Sequence, residues 1–214
     1  MKAGKVVFLI LILVTFWIPN AWPEWNTLAV GKLLVADRTL QDPRFVQSVI
    51  LLFRYGKEGA AGLILNHPTP TGVSKLFPEI VGVQKRKDLV HLGGPVSIES
   101  VFVLLQSHAV TEKSERVFEN IFITSDKTTI HKLLGSNGNE KQLRLYAGYA
   151  GWGVGQLELE VAGGYWHVLP AETKAIFHTN PTEVWREFLD RSNIIQANLT
   201  DPQSEIFTRS QASK

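Results

Sequence analysis

Between Leu28 and Leu169 the chain is a succession of short apolar runs rich in strand-forming residues, most of them bounded by turn signals. Leu28 to Ala36 reads as a strand. Ser48 to Tyr55 and Ala60 to Asn66 flank Gly56-Lys57-Glu58-Gly59, the pattern of a hairpin. Asp88 to Leu92, Val101 to Leu105, Val117 to Thr124, Leu143 to Tyr149 and Trp166 to Leu169 read as further strands. Helical spacing is rarer. Ser125 or Asp126 caps a helix with Ile130, Leu133 and Leu134 on one face, closed by Gly135. Thr179 or Asn180 caps another, with Pro181 at its first position and Val184, Trp185, Phe188 and Leu189 on its buried face. Asp42-Pro43 predicts one or two helical turns, and Val73 to Phe77 a short amphipathic piece within an otherwise loop-rich 67–87. From Asn193 the chain is polar and is expected to fray. Strands outnumber helices and follow one another through short turns. The fold class expected is α+β in one compact domain, not a βαβ alternation.

The N-terminus has a different character. Lys2 and Lys5 precede the apolar run Val6 to Ile18, the charge-then-apolar order of a secretory signal. Pro19-Asn20-Ala21 offers a cleavage point after Ala21. The alternative is an uncleaved anchor, for which Trp17, Trp22 and Trp25 would suit a membrane interface. The organisation expected is a signal peptide or membrane anchor over 1–25, a domain over 26–192 and a polar tail over 193–214. The protein would then be exported, periplasmic or tethered to the inner membrane. Lys2 and Lys5 also account for the whole formal charge of +2, so the remainder is neutral. A neutral domain lacks the basic footprint of a nucleic-acid binder. With no cysteine in the chain, disulfides, thiolate metal sites and cysteine nucleophiles are excluded.

The glycine-rich stretch Gly151-Trp152-Gly153-Val154-Gly155-Gln156, preceded by Gly148, is the most distinctive motif. A helix starting near Gly153 or Val154 would present free N–H groups to an anion. The plainer reading is a strand-to-helix turn packed on Trp152. A positive φ at Gly151 or Gly153 would make Ala there destabilising. Together with Asn66, Gly93 and Gly94, the glycines Gly151, Gly153 and Gly155 form the candidate ligand- or anion-binding set. Neither GxxxxGK[ST] nor GxGxxG occurs, so no nucleotide fingerprint is present. A catalytic alternative joins Ser48 as nucleophile to His67 and Asp42, without a G-x-S-x-G elbow. The six histidines, His67, His91, His108, His131, His167 and His178, include no pair three to five residues apart. Neither a metal site nor a cofactor is expected. Glu158 and Glu160 share a face in a strand and lie about 200° apart in a helix.

Several stretches, in order, carry a family resemblance: Gly31-Lys32-Leu33-Leu34-Val35-Ala36, Leu40-Gln41-Asp42-Pro43-Arg44-Phe45 with Ser48-Val49, Gly62-Leu63-Ile64-Leu65-Asn66, Leu92-Gly93-Gly94-Pro95-Val96, and Tyr149-Ala150-Gly151-Trp152-Gly153-Val154-Gly155-Gln156-Leu157-Glu158. With Pro170-Ala171 and Trp185, they make the chain resemble the YqgE/AlgH family from about residue 28 to about 192. The resemblance implies a small barrel-like sheet core surrounded by helices, with no established activity or cofactor. Some members of that family are described as transcriptional regulators. The chain departs from the pattern at Asp37-Arg38, where Met-Pro is usual, at His67, where Arg is usual, and in its apolar N-terminus, which typical cytosolic members lack. The function expected is a non-catalytic interaction or small-ligand-binding domain in the cell envelope. Its partner would be a protein or a small anionic ligand, not nucleic acid, with membrane contact through 1–25 only. The alternatives are a transcriptional regulator and a hydrolase using Ser48, His67 and Asp42.

Overall fold

The computed structural model describes residues 27–108, 112–135, 142–178 and 180–200. The expected signal or anchor segment, Thr179 and the end of the polar tail lie outside the described residues. Within them, no helix is long and apolar enough to cross a membrane.

The elements follow in the order β1 (Lys32–Ala36), β2 (Val49–Gly56), β3 (Gly59–Ile64), β4 (Pro68–Gly72), α1 (Val73–Leu76), β5 (Leu89–Leu92), β6 (Val96–Gln106), β7 (Glu115–Phe118), β8 (Ile121–Thr124), α2 (Lys127–Gly135), β9 (Leu143–Trp152), α3 (Gln156–Ala162), β10 (Trp166–Pro170), α4 (Thr173–Ile176) and α5 (Pro181–Thr200). The strands join in one 10-stranded sheet whose main path runs β10-β1-β2-β3-β9-β6-β8-β7, with β4 and β5 attached beside β9. All pairings are antiparallel except β5 with β9. The sheet curls into a half-barrel with a few helices, an α+β arrangement. Its ends approach at Gly31, where an added Cβ would lie 2.9 Å from the Val117 carbonyl oxygen.

The curl is organised by β9. Residues Leu145 to Ala147 pair with β5 on one side and β6 on the other, while Ala150 to Trp152 pair with β3. Between these halves Gly148 has φ 68, a left-handed conformation that glycine adopts without the cost of a Cβ. The Gly93-Gly94 turn fills the inside of the bend. Gly93 N–H donates to the Ala147 carbonyl (2.8 Å), and the Gly93 carbonyl accepts from Ile64 N–H (2.8 Å). A Cβ on Gly94 would overlap the Tyr149 carbonyl carbon, and one on Gly148 would lie 2.5 Å from the Gly94 carbonyl oxygen.

Alternation along the strands then divides the apolar side chains. One face of the curl carries Leu33, Leu51, Leu63, Leu104 and Tyr146, covered by Ile176 of α4 and Phe188 of α5. Leu34, Ile50, Trp152 and Trp166 pack with Leu157 of α3. Val90, Val103, Phe122 and Leu145 pack with Val73 of α1 and Ile130 and Leu134 of α2.

Several expectations need correction. Asp42-Pro43 opens a turn, not a helix: Phe45 and Val46 N–H both donate to the Asp42 carbonyl, and Gln47, at φ 55, reverses the chain. Val117 to Thr124 is two strands, broken at Glu119 (φ 40). Pro68–Gly72 is a strand despite its two prolines, as an edge partner of β5 alone. Helix α5 continues past Asn193 to Thr200, because Ile195 still packs on the core. The caps follow the expected chemistry: Asp126 Oδ1 accepts Thr129 N–H (2.9 Å), and Asn180 Oδ1 accepts Thr182 N–H (3.3 Å).

Alanine at Gly94 or Gly148 is expected to lower stability by about 1–3 kcal/mol or more through backbone strain and overlap. Gly153→Ala, whose Cβ would meet only Gln156 Oε1 at 3.9 Å, should stay near the wild-type midpoint. Urea unfolding of the three variants checks this, and a Gly148→Ala midpoint equal to that of the wild type would refute the role given to the bend.

Candidate functional site

The register of β5 against β9 sets His91 beside Tyr146. Their rings are 5.6 Å apart between centroids. Arg144 stands two residues before Tyr146, on the same face of β9. His91 and Arg144 border an open cavity of about 500 Å³ at the rim of the curled sheet, between β4, β5, the start of β9 and the α4–α5 junction. Arg86, Asp88, His91, Arg144, Phe177 and His178 are among its lining residues.

The polar atoms here are unevenly matched. Arg86 Nε donates to Asp88 Oδ2 at 2.8 Å, forming a closed ion pair. His178 Nδ1 accepts Asn180 N–H (3.0 Å), and its Nε2 lies 3.5 Å from Glu187 Oε2. Arg144 Nη2 donates to the His178 carbonyl oxygen at 3.1 Å; among the described residues no carboxylate forms an ion pair with it. Both ring nitrogens of His91 and the Tyr146 hydroxyl are buried without a hydrogen bond of good geometry, although the Leu89 backbone stands close enough to His91 to favour its charged form and Arg144 close enough to Tyr146 to favour the phenolate. Burial, then the charge of Arg144, pushes the His91 imidazole down to about 4. Burial also lowers the neighbouring His67 and raises the Tyr146 hydroxyl above its usual range. The pocket thus combines a cation and a neutral imidazole, and the imidazole is backed by the buried Tyr146 ring.

The residues singled out from the sequence are used differently. Asn66 locks the turn before β2: its Oδ1 accepts Val49 N–H (2.9 Å), and its Nδ2 donates to the Gln47 carbonyl (2.8 Å). Ser48, fully buried, donates its hydroxyl to the Phe45 carbonyl at 2.7 Å. Asp42 holds its near neighbour Arg44 on the surface, and that contact keeps its carboxyl below the usual range. Among the described residues, no hydrogen bond joins Ser48, His67 and Asp42. Gly93 and Gly94 are consumed by backbone packing against β9. Within the glycine-rich stretch, Gly155 has positive φ, whereas Gly151 and Gly153 do not. That removes the strain argument at those two positions. Gly153 N–H donates to the side chain of Gln156 at 3.1 Å.

Glu158 and Glu160 fall on helix α3, so they do not act as an acid pair. Glu158 accepts the Tyr55 hydroxyl at 2.8 Å. Glu160 Oε2 accepts both the Trp152 indole (2.9 Å) and the Trp166 indole (2.8 Å). The distinctive segment therefore fastens a tryptophan pair.

The cavity residues His91 and Arg144 do not stand out in the sequence, because each sits in an ordinary strand pattern. The one available signal was a histidine and an arginine at positions whose neighbours are all apolar.

Since the unfolded imidazole titrates near 6.5 and the folded one at about 4, the unfolded chain binds more protons between these values. Stability should fall as pH drops from 6.5 towards 4. His91→Phe should show a shallower fall in urea midpoint over this range. Equal pH slopes for the two proteins would contradict the burial of a neutral His91.

Comparison with known proteins agrees with this architecture. Residues 33–196 match the DUF179 family, described as AlgH-like. A UPF0301 protein of Streptomyces avermitilis is 34% identical over 170 residues, covering 75% of this chain and 85% of its own. The UPF0301 protein CT0663 of Chlorobaculum tepidum is 32% identical over 163 residues, covering 76% and 86%. Among solved structures, protein DIP2367 of Corynebacterium diphtheriae superposes with a TM-score of 0.65 at 25% identity, covering 78% of this chain and 89% of that one. The solution structure of the AlgH protein of Pseudomonas aeruginosa shares the fold, with a TM-score of 0.61 at 24% identity and coverage of 89% and 97%. With its motifs in order along a curled α+β half-barrel, the chain belongs to the AlgH-like DUF179 family.

Proposed function

We propose that this protein is a non-catalytic binding domain whose cavity at Arg144 and His91 takes a small anionic ligand. The observation that carries the reading is the unmatched guanidinium. Arg144 lines an open cleft and donates to a backbone carbonyl, while the neighbouring Arg86 is neutralised by Asp88. A guanidinium in such a place favours the planar or tetrahedral oxygens of a carboxylate, phosphate or sulfate. Pro68, Leu89, Leu143, Phe177 and Pro181 supply apolar lining beside Gln142, leaving room for an apolar body behind the charged group. The separation of Ser48, His67 and Asp42 supports binding over hydrolysis, because nucleophile and base need direct contact. The neutral domain charge supports a small ligand over nucleic acid. The Lys2 and Lys5 start followed by an apolar run supports an envelope location, exported or tethered.

Sulfate or inorganic phosphate should raise the thermal midpoint of the wild-type chain. At ten times the dissociation constant the gain is about 1.4 kcal/mol. Arg144→Leu should abolish the response, and Gly153→Ala should keep it. A wild type insensitive to both anions sinks the reading. A response lost in Gly153→Ala and kept in Arg144→Leu would move the site to the α3 turn.

A further inference from the structure

We infer that the cavity captures its oxyanion together with one proton, which comes to rest on the His91 imidazole. This inference rests on the anion-binding reading of the cavity and adds how the site is regulated.

Three observations lead to it. First, His91 is 5% exposed and neither of its ring nitrogens makes a hydrogen bond of good geometry. A buried imidazole in a finished structural site normally finds a partner for each nitrogen. Second, the groups around it withhold the counter-charge that would hold a second ring proton. From β9 it meets Arg144 and the Tyr146 ring, from the connection before β4 it meets His67, which acts on it electrostatically, and on its own strand the Leu89 backbone, an uncharged group, is the one neighbour that favours the imidazolium. The nearby carboxylates are engaged elsewhere: Asp88, before β5, with Arg86, and Glu187, on α5, with Lys174 at 2.7 Å and with His178. Third, the unmatched Arg144 lines the same cavity as His91.

Arg144 therefore opposes a charge on His91. An oxyanion seated on Arg144 reverses the sign of that local field. A neutral imidazole offers such an anion one N–H, and its other nitrogen is an acceptor. The imidazolium offers two donors. Because the ring nitrogens lie beneath the cavity surface, engagement includes a swing of the imidazole towards Arg144. The proton comes from solvent, and no covalent bond to the ligand forms or breaks. The site thus holds its ligand more tightly as the pH falls, which makes it a proton-coupled anion receptor.

The test is calorimetric titration of the full chain with sodium sulfate, an anion that carries no proton near neutrality. Two cationic buffers of different ionisation enthalpy are used between pH 5.5 and 7.5. The expected result is uptake approaching one proton per sulfate at the acid end. Affinity should fall by up to about tenfold per pH unit as pH rises towards the bound-state pKa. His67→Phe and His178→Phe should keep the uptake, and His91→Phe should lose it. The His91 ring resonances of the wild type provide a second readout, independent of any variant's folding: sulfate should move them to imidazolium positions. Sulfate binding without proton uptake, or uptake that persists in His91→Phe, would overturn the proton coupling and leave the anion site standing. No sulfate binding by the wild type at any pH would remove the anion site and the coupling with it.

Discussion

Backbone lying directly on backbone at the bend of β9 is the contact on which the rest of the molecule depends. Gly93 and Gly94 approach Gly148 and Tyr149 more closely than any side chain permits. The hydrogen bonds from Gly93 N–H to Ala147 and from Ile64 N–H to Gly93 weld β3, β5 and β9 at one point. Without that weld, β9 could not serve β5 and β6 with one half and β3 with the other. The curl of the sheet, its interior face and the cavity at its mouth all descend from it. Glycine here contributes shape, and the polar side chains gathered at the rim contribute chemistry.

The rim is polar at a cost. A buried imidazole and a buried phenol without hydrogen bonds of good geometry each forgo hydrogen bonds they would make in water, which costs on the order of 1–3 kcal/mol per group. Away from the cavity, among the described residues, only one nitrogen of the Arg191 guanidinium is buried and unbonded. Ser48, Asn66, Thr129 and Ser192 are buried and bonded, and a single carboxylate, Glu160, satisfies two indoles. Unmet polar atoms concentrated beside a cavity are the pattern of a site that carries a functional load.

Much of the fold was legible in local pattern. The β2–β3 hairpin, the Asp126 and Asn180 caps, and the faces of α2 and α5 follow from spacing and cap chemistry, because those interactions span few residues. What could not be read was set by distant partners. The strand at Pro68–Gly72 exists because β5 pairs with it. The turn after Asp42 stops short of a helix because Asn66 pins Gln47 and Val49 from across the sheet. Around the glycine-rich stretch the bend lies at Gly148, while of the two acids that follow, Glu160 binds the two indoles and Glu158 binds Tyr55. His91 and Arg144 carry little local signal beyond a polar residue between apolar neighbours. They become neighbours only through the parallel register of β5 and β9, a pairing between segments more than fifty residues apart in the sequence.

The first strand of the described domain is flanked by the second and by the last: β1 pairs with β2 through Leu33 to Val35 and with β10 from Lys32↔Pro170 to Ala36↔Trp166. One edge of β1 therefore has no partner until Trp166 to Pro170 have been synthesised. On the ribosome the nascent chain must carry an open, strongly apolar strand edge through most of translation. Pairing across so long a loop is slow, and an exposed edge of this kind invites other chains. The closing of β10 onto β1 is thus the step at which the emerging polypeptide stops being a hazard to its neighbours.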